Sequence, residues 1–167
     1  LMLPDYRGRS LSGVLPAAAA ALGVEVEDGA RRRDQFGLPR TERVCVVLVD
    51  GLGQENLAER SGHAPFLRSL LTGSKAIQAG YPSTTAASMG SFGTGTNPGR
   101  TAMLGYTVRN PATGALGNLV SWTNLPAAEQ WQREPTVLES LAEAGVGLTS
   151  VGTKKFHGSG LPVAAQR

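Results

Sequence analysis

Gly80–Tyr106 reads GYPSTTAASMGSFGTGTNPGRTAMLGY, and the rest of the chain is organised around it. Pro82 marks a turn, and Ser83, Thr84 and Thr85 follow as consecutive hydroxyls. Behind them Ala86, Ala87, Gly90 and Gly93 form a small-residue run, which predicts a closely packed helix over residues 84–93. The first turn of such a helix collects backbone N–H groups without intrahelical acceptors and the positive end of the helix dipole. Those groups favour an anion, so a hydroxyl there can hold a phosphate and attack it. Ser83 or Thr84 can also simply cap the helix, and the stretch alone favours the cap. Residues 94–99 (TGTNPG) read as a loop, and no Walker G-x-x-x-x-G-K-[ST] pattern is present.

Upstream, Val44–Val49 (VCVVLV) is a continuous apolar, β-branched run. That pattern predicts a central strand buried on both faces, as parallel sheets require, and places Cys45 in the core. The run ends in Asp50-Gly51-Leu52-Gly53, so the carboxylate falls at the C-terminal edge of the sheet, where open α/β sheets bind ligands. Asp50 has three readings: a cap for a helix over 54–60, part of a Rossmann-like turn that lacks its third glycine, or a metal ligand. A second helix is expected over 64–71, with Pro65 near its start, and a short strand over 76–79 feeding the Pro82 turn. Residues 1–42 form an expected peripheral segment, with a helix over 14–22 ended by Gly23 and then a charged loop through Gly37-Leu38-Pro39. Arg31–Arg33, with Arg40 and Arg43 nearby, read there as a solvated connection. Residues 11–24 follow Arg7 and Arg9 and imitate a signal peptide, but Pro16 interrupts the run and Ala dominates over Leu, which favours an amphipathic helix.

Downstream, Tyr106–Val120 suggests a hairpin turning at residues 110–114 (NPATG). Trp122 and Trp131 either line a pocket or pack the hairpin onto the body, and packing is favoured. Pro135 opens a helix over 136–144 that Gly145 ends, and Leu148–Val151 reads as another parallel strand. Residues 153–167 look like a loop entering a further helix. The pattern is α/β, a mostly parallel sheet flanked by helices, with residues 43–167 as one catalytic domain. With about three credible strands it reads as an incomplete N-terminal portion, and Leu1 before Met2 suggests a non-native start.

The 167 residues suffice for a real core, and 22 glycines suit tight strand–helix turns. A net charge of +3 is too small to argue for nucleic acid, and no nucleic-acid-binding motif is present. A single cysteine rules out an intrachain disulfide and fits a reducing compartment, so the expected location is the cytoplasm. No stretch is long and apolar enough to span a membrane.

VLVDGLG together with YPSTTAAS, the later GTG, PG and GY resembles the alkaline phosphatase superfamily, in its type I phosphodiesterase/nucleotide pyrophosphatase branch. The early LP…AALGV helix, HAPFLRSLL, the hairpin with its Trp, the PTVLE helix and the F-x-G-S-G-L ending extend the resemblance over nearly all the chain. It implies a hydrolase of small phosphate esters such as nucleotides, with two divalent metal ions, zinc in the family, and a covalent phosphothreonine. Asp50 matches the first metal-binding aspartate. Thr85 matches the nucleophile, which also touches a metal, because Thr85 precedes Thr94-Gly95 by the family's nine positions. Thr84 is the runner-up nucleophile. Ser88 matches the place where the nucleotide pyrophosphatases bind a phosphoryl oxygen through asparagine, with a shorter reach. A metal-bound threonine hydroxyl becomes a competent nucleophile, and a second ion about 3.5–4 Å away would stabilise the leaving oxygen.

Two departures accompany the match. Arg100-Thr101 stands where the family has His-Gly, which alters the expected substrate pocket. The family's other metal ligands belong to a C-terminal half that this sequence does not include, and neither His63 nor His157 has ligand spacing. Alternatives are a phosphomonoester, sulfate-ester or phosphonate hydrolase of the same superfamily, or a non-catalytic anion-binding module. The oligomeric state is not legible.

Overall fold

The computed structural model describes residues 3–60 and 62–167. Leu1 and Met2, the start of the expected peripheral segment, lie outside the described residues. The chain divides into two compact units, Leu1–Val44 with Gln78–Arg167, and Cys45–Ile77.

In the larger unit a 3-10 turn at Leu11–Gly13 leads into α1 (Val14–Ala21), close to the predicted 14–22. Its alanines cost little side-chain entropy and pack closely, so Leu15 to Ala21 are all buried. Gly23 stops the helix in left-handed backbone (φ 88°). The charged loop expected next contains a helix instead, α2 (Gly29–Phe36). Arginine is a good helix former, an Asp28–Arg31 ion pair (2.7 Å) spans its first turn, and Gly37 closes it at φ 68°. Arg32 is not a solvated connector: it is 4% exposed, and its guanidinium donates to the carbonyls of Gly8 and Tyr6. Burial and the neighbouring Arg31 lower its pKa, while Asp28 and Asp5 oppose them.

The smaller unit holds α3 (Gln54–Glu59) and α4 (Pro65–Ser69), both within their predicted spans. Pro65 sits in the first turn of α4, where its missing N–H has no intrahelical acceptor to lose.

The larger unit resumes with α5 (Thr85–Thr94), α6 (Pro98–Thr101), β1 (Thr107–Arg109), β2 (Leu116–Asn118), α7 (Ala128–Trp131), α8 (Val137–Glu143) and α9 (Gly160–Gln166). The predicted hairpin is present: β1 and β2 pair antiparallel, with Val108 opposite Gly117. α8 is fixed by a capping box. Thr136 Oγ1 accepts from Glu139 N–H (3.1 Å), and Glu139 Oε2 accepts from Thr136 N–H (2.7 Å). Two apolar clusters share α5. Phe92 joins Leu15, Ala19, Val137 and Leu141, while Ala86 joins Met103, Leu119, Ala128, Leu161 and Ala164. Trp122 and Trp131 pack against the second cluster and donate their indole N–H to the Pro126 and Ala102 carbonyls, which is the packing role.

The fold is mixed α/β. Among the described residues the only sheet is the antiparallel β1–β2 pair, with isolated bridges Ser10–Gln78 (parallel) and Asn118–Thr123 (antiparallel). The predicted strand over 76–79 is reduced to that first bridge. Val44–Val49 and Leu148–Val151 are not strands, and Val47 and Val151 are 78% and 93% exposed. Cys45 is likewise exposed rather than buried. A β-branched run prefers extended backbone, but a strand exists only where a second extended segment supplies its ladder. No helix among the described residues is long and apolar enough to cross a membrane.

Candidate functional site

The start of α5 separates the two threonines. Thr84 is the N-cap: its backbone is extended (φ −88°, ψ 155°), and its Oγ1 accepts from Ala87 N–H at 3.5 Å, the outer limit of a hydrogen bond. Thr85 is the first helical residue, partly buried, and its Oγ1 lies 3.2 Å from Tyr106 Oη. Ser88 is also partly buried and stands three residues on, on the same helix face as Thr85. Ser83 is exposed. The Thr85 hydroxyl therefore stands in the first turn of a ten-residue helix, at the positive end of its dipole. Such an end favours a bound anion over a neutral group.

Tyr106 is the site residue that the sequence reading did not single out. It immediately precedes β1, its carbonyl accepts from Leu119 N–H (2.8 Å), and its ring is 50% exposed. The GY motif marks its position but not its role, because its partner lies 21 residues away, at the far end of the segment that carries α5 and α6.

Asp50 belongs to the smaller unit, in an exposed turn ahead of α3. It does not cap that helix. The N-cap is Gly53, whose N–H donates to Asn56 Oδ1 (2.8 Å). His63 and His157 are both exposed, in turns. Among the described residues, no three or more His, Cys, Asp or Glu side chains group as a metal site. The donors present do not by themselves compose a two-metal centre, which needs three or four protein ligands for each zinc ion.

At the opposite end of α5 opens a cleft of about 320 Å³, lined by Tyr6, Arg32, Thr94, Asn97, Arg100 and Glu134 among others. Its charges are largely paired internally, Arg100 with Glu134 at 2.6 Å and with Glu27 at 3.8 Å. Thr85 does not line it.

The family model described as type I phosphodiesterase / nucleotide pyrophosphatase matches residues 44–165. Searches of curated proteins and of solved structures return no match.

Proposed function

The chain belongs to the type I phosphodiesterase/nucleotide pyrophosphatase family of the alkaline phosphatase superfamily, and on that premise we propose that Thr85 is its phosphoryl-accepting nucleophile. Membership supports a phosphodiesterase- or pyrophosphatase-type hydrolase acting on a phosphate ester. The observation that carries the finer assignment is the division of labour at α5: Thr84 caps the helix, while the Thr85 hydroxyl stands in the first turn against Tyr106.

In the first step the Thr85 Oγ1–phosphorus bond forms and the bond from phosphorus to the leaving oxygen breaks; the hydroxyl proton passes to solvent, and the leaving oxygen takes up a proton from water and departs as an alcohol or a phosphate. Water then attacks phosphorus, the phosphorus–Oγ1 bond breaks, a proton returns to Oγ1, and a phosphomonoester (from a diester) or phosphate (from a monoester) is released. The helix N-terminus stabilises the charge that grows on the phosphoryl oxygens. We assign Ser88 to contact one of them and Tyr106, whose hydroxyl lies 3.2 Å from Thr85 Oγ1, to restrain the Thr85 rotamer. Asp50 and Thr85 are the residues we assign to metal contact, with two divalent ions, zinc by family resemblance. The described residues do not complete that ligand set. The same proposal treats residues 43–167 as part of the catalytic domain, whose mostly parallel sheet is what the family resemblance implies.

The test is Thr85→Ala in the native protein, assayed on aryl phosphodiesters and phosphomonoesters, with acid-quenched samples examined for phosphothreonine by mass spectrometry. Turnover should fall at least about a thousandfold, and the phosphate should map to Thr85 in the unsubstituted protein. Unchanged turnover, or phosphate on Thr84, would sink the assignment. A second reading is an anion-binding module without catalysis, which the first turn of α5 also supports. Phosphate binding that persists without zinc, in a protein with no turnover, would establish it instead.

A further inference from the structure

The residues that lead into α5 are held by a segment remote in sequence. Tyr6 Oη accepts from Tyr81 N–H at 2.9 Å and donates to the Tyr81 carbonyl at 3.2 Å. Gln78 N–H donates to the Arg9 carbonyl, and its own carbonyl accepts from Leu11 N–H, both at 2.9 Å. Its side-chain Oε1 accepts from Asp5 N–H, also at 2.9 Å. Gly80 is buried beneath the tyrosine, where a Cβ would stand 3.4 Å from Tyr6 Oη. Residues 5–11 therefore grip the strand-like approach to the site at Gln78 and again at Tyr81.

The gripping segment is itself fastened by α2. Buried Arg32 donates to the Gly8 carbonyl at 2.7 Å and to the Tyr6 carbonyl. Arg31 and Gln35 both donate to the Arg7 carbonyl. Arg9 donates to the Gln35 carbonyl (2.8 Å) and lies 5.2 Å over the Phe36 ring. A guanidinium is costly to bury unless its donors are used, and Arg32 uses them on the main chain of one short loop. That arrangement specifies where the loop runs.

We propose that Tyr6 is a positioning residue for Thr85, and that residues 5–11, fastened by α2, form a brace setting where the first turn of α5 begins. The proposal rests on the reading of Thr85 as nucleophile. Pro82, Ser83 and Thr84 alone separate Tyr81 from Thr85, and the Pro82 ring fixes one of the intervening dihedrals. A displacement at Tyr81 therefore passes into the helix start with little slack. In-line attack tolerates little misplacement of the nucleophile. The brace precedes residues 44–165, so nothing in the family match depends on it.

The experiment is Tyr6→Phe in the native protein, with kcat and KM measured on an aryl phosphodiester and melting measured alongside. Phenylalanine keeps the ring over Gly80 and removes only the oxygen. The expected result is a kcat lowered about five- to tenfold by misplacement of the nucleophile, with KM nearly unchanged and a melting temperature lower by no more than about 4 °C, and with the kcat loss persisting well below melting. Thr85→Ala is run in the same assay. If Tyr6→Phe keeps full kcat while Thr85→Ala is inactive, the brace is overturned and the nucleophile stands. If Thr85→Ala keeps its turnover, the nucleophile assignment fails and the brace falls with it. If kcat and melting temperature drop together and the rate recovers on cooling, Tyr6 is only structural and the proposal is overturned.

Discussion

Gly93→Ala tests the packing that presents the candidate site. α5 and α9 meet so closely there that a Cβ on Gly93 would lie 1.5 Å from the Ala165 carbonyl oxygen and 2.6 Å from its carbon. A carbon–oxygen contact relaxes near 3.3–3.6 Å, so α9 would have to withdraw by roughly 2 Å. The obstacle is backbone, and no rotamer change relieves it. α9 carries Leu161, Ala164 and Ala165 into the core, all at most 6% exposed. Re-exposing part of that surface and straining the remainder costs about 3 kcal/mol or more. Alanine in place of glycine inside a helix returns about 1 kcal/mol. The net loss of about 2 kcal/mol corresponds to a melting temperature lower by about 4–8 °C for a chain of this size. Gly90→Ala is the internal control. Its Cβ would meet the Met103 sulfur at 2.8 Å and Thr101 Oγ1 at 3.3 Å, and a thioether can yield, so a change within about 1 kcal/mol is expected. Thermal unfolding followed by circular dichroism, with urea titration, compares the two. A Gly93→Ala protein melting at or above the unsubstituted temperature would refute the α5–α9 contact.

The two threonine caps should differ in weight. Thr136→Ala should cost about 1–2 kcal/mol in urea unfolding, because Thr136 is 1% exposed and completes a capping box. Thr84→Ala, whose cap bond is stretched to 3.5 Å, should cost under about 1 kcal/mol. It should also leave turnover largely intact if Thr85 is the nucleophile. Glu139 is the group expected to give acid-dependent stability. Burial pushes its pKa up, but the Thr136 N–H and hydroxyl and the Arg167 guanidinium outweigh burial and hold it below its usual 4.5. A depressed folded pKa means that the ionised carboxylate stabilises the fold above about pH 4.5 and loses that effect as pH falls through the folded value. The stability gap between the unsubstituted protein and Glu139→Gln should therefore be widest near neutrality and close under acid. A gap constant from pH 7 to pH 3 would contradict it.

Local chemistry explains what was legible. Small residues after a Pro turn announce α5, Pro135 and Gly145 bracket α8, and residues 110–114 (NPATG) announce the hairpin. Each signal acts over a few residues, and the structure places each element within a residue or two of its expected span. Residues 29–36 were misread because arginine fits a solvated loop and a helix equally well. The carbonyls that Arg32 satisfies belong to Gly8 and Tyr6, 24 and 26 residues away. Val44–Val49 failed in the opposite sense. Its composition expresses a preference for extended backbone, but a strand also needs a partner segment, which composition does not specify.

By itself the sequence determined the family and the helix that begins at Thr84 and Thr85. Short-range propensity and exact spacing are written in consecutive residues. Only the tertiary structure decided that Tyr106 faces the Thr85 hydroxyl. It also decided that Tyr6 holds Tyr81 and that buried Arg32 anchors that hold. These are contacts across three-dimensional space, and which side chains meet depends on how the helices and the hairpin pack, which no local pattern encodes.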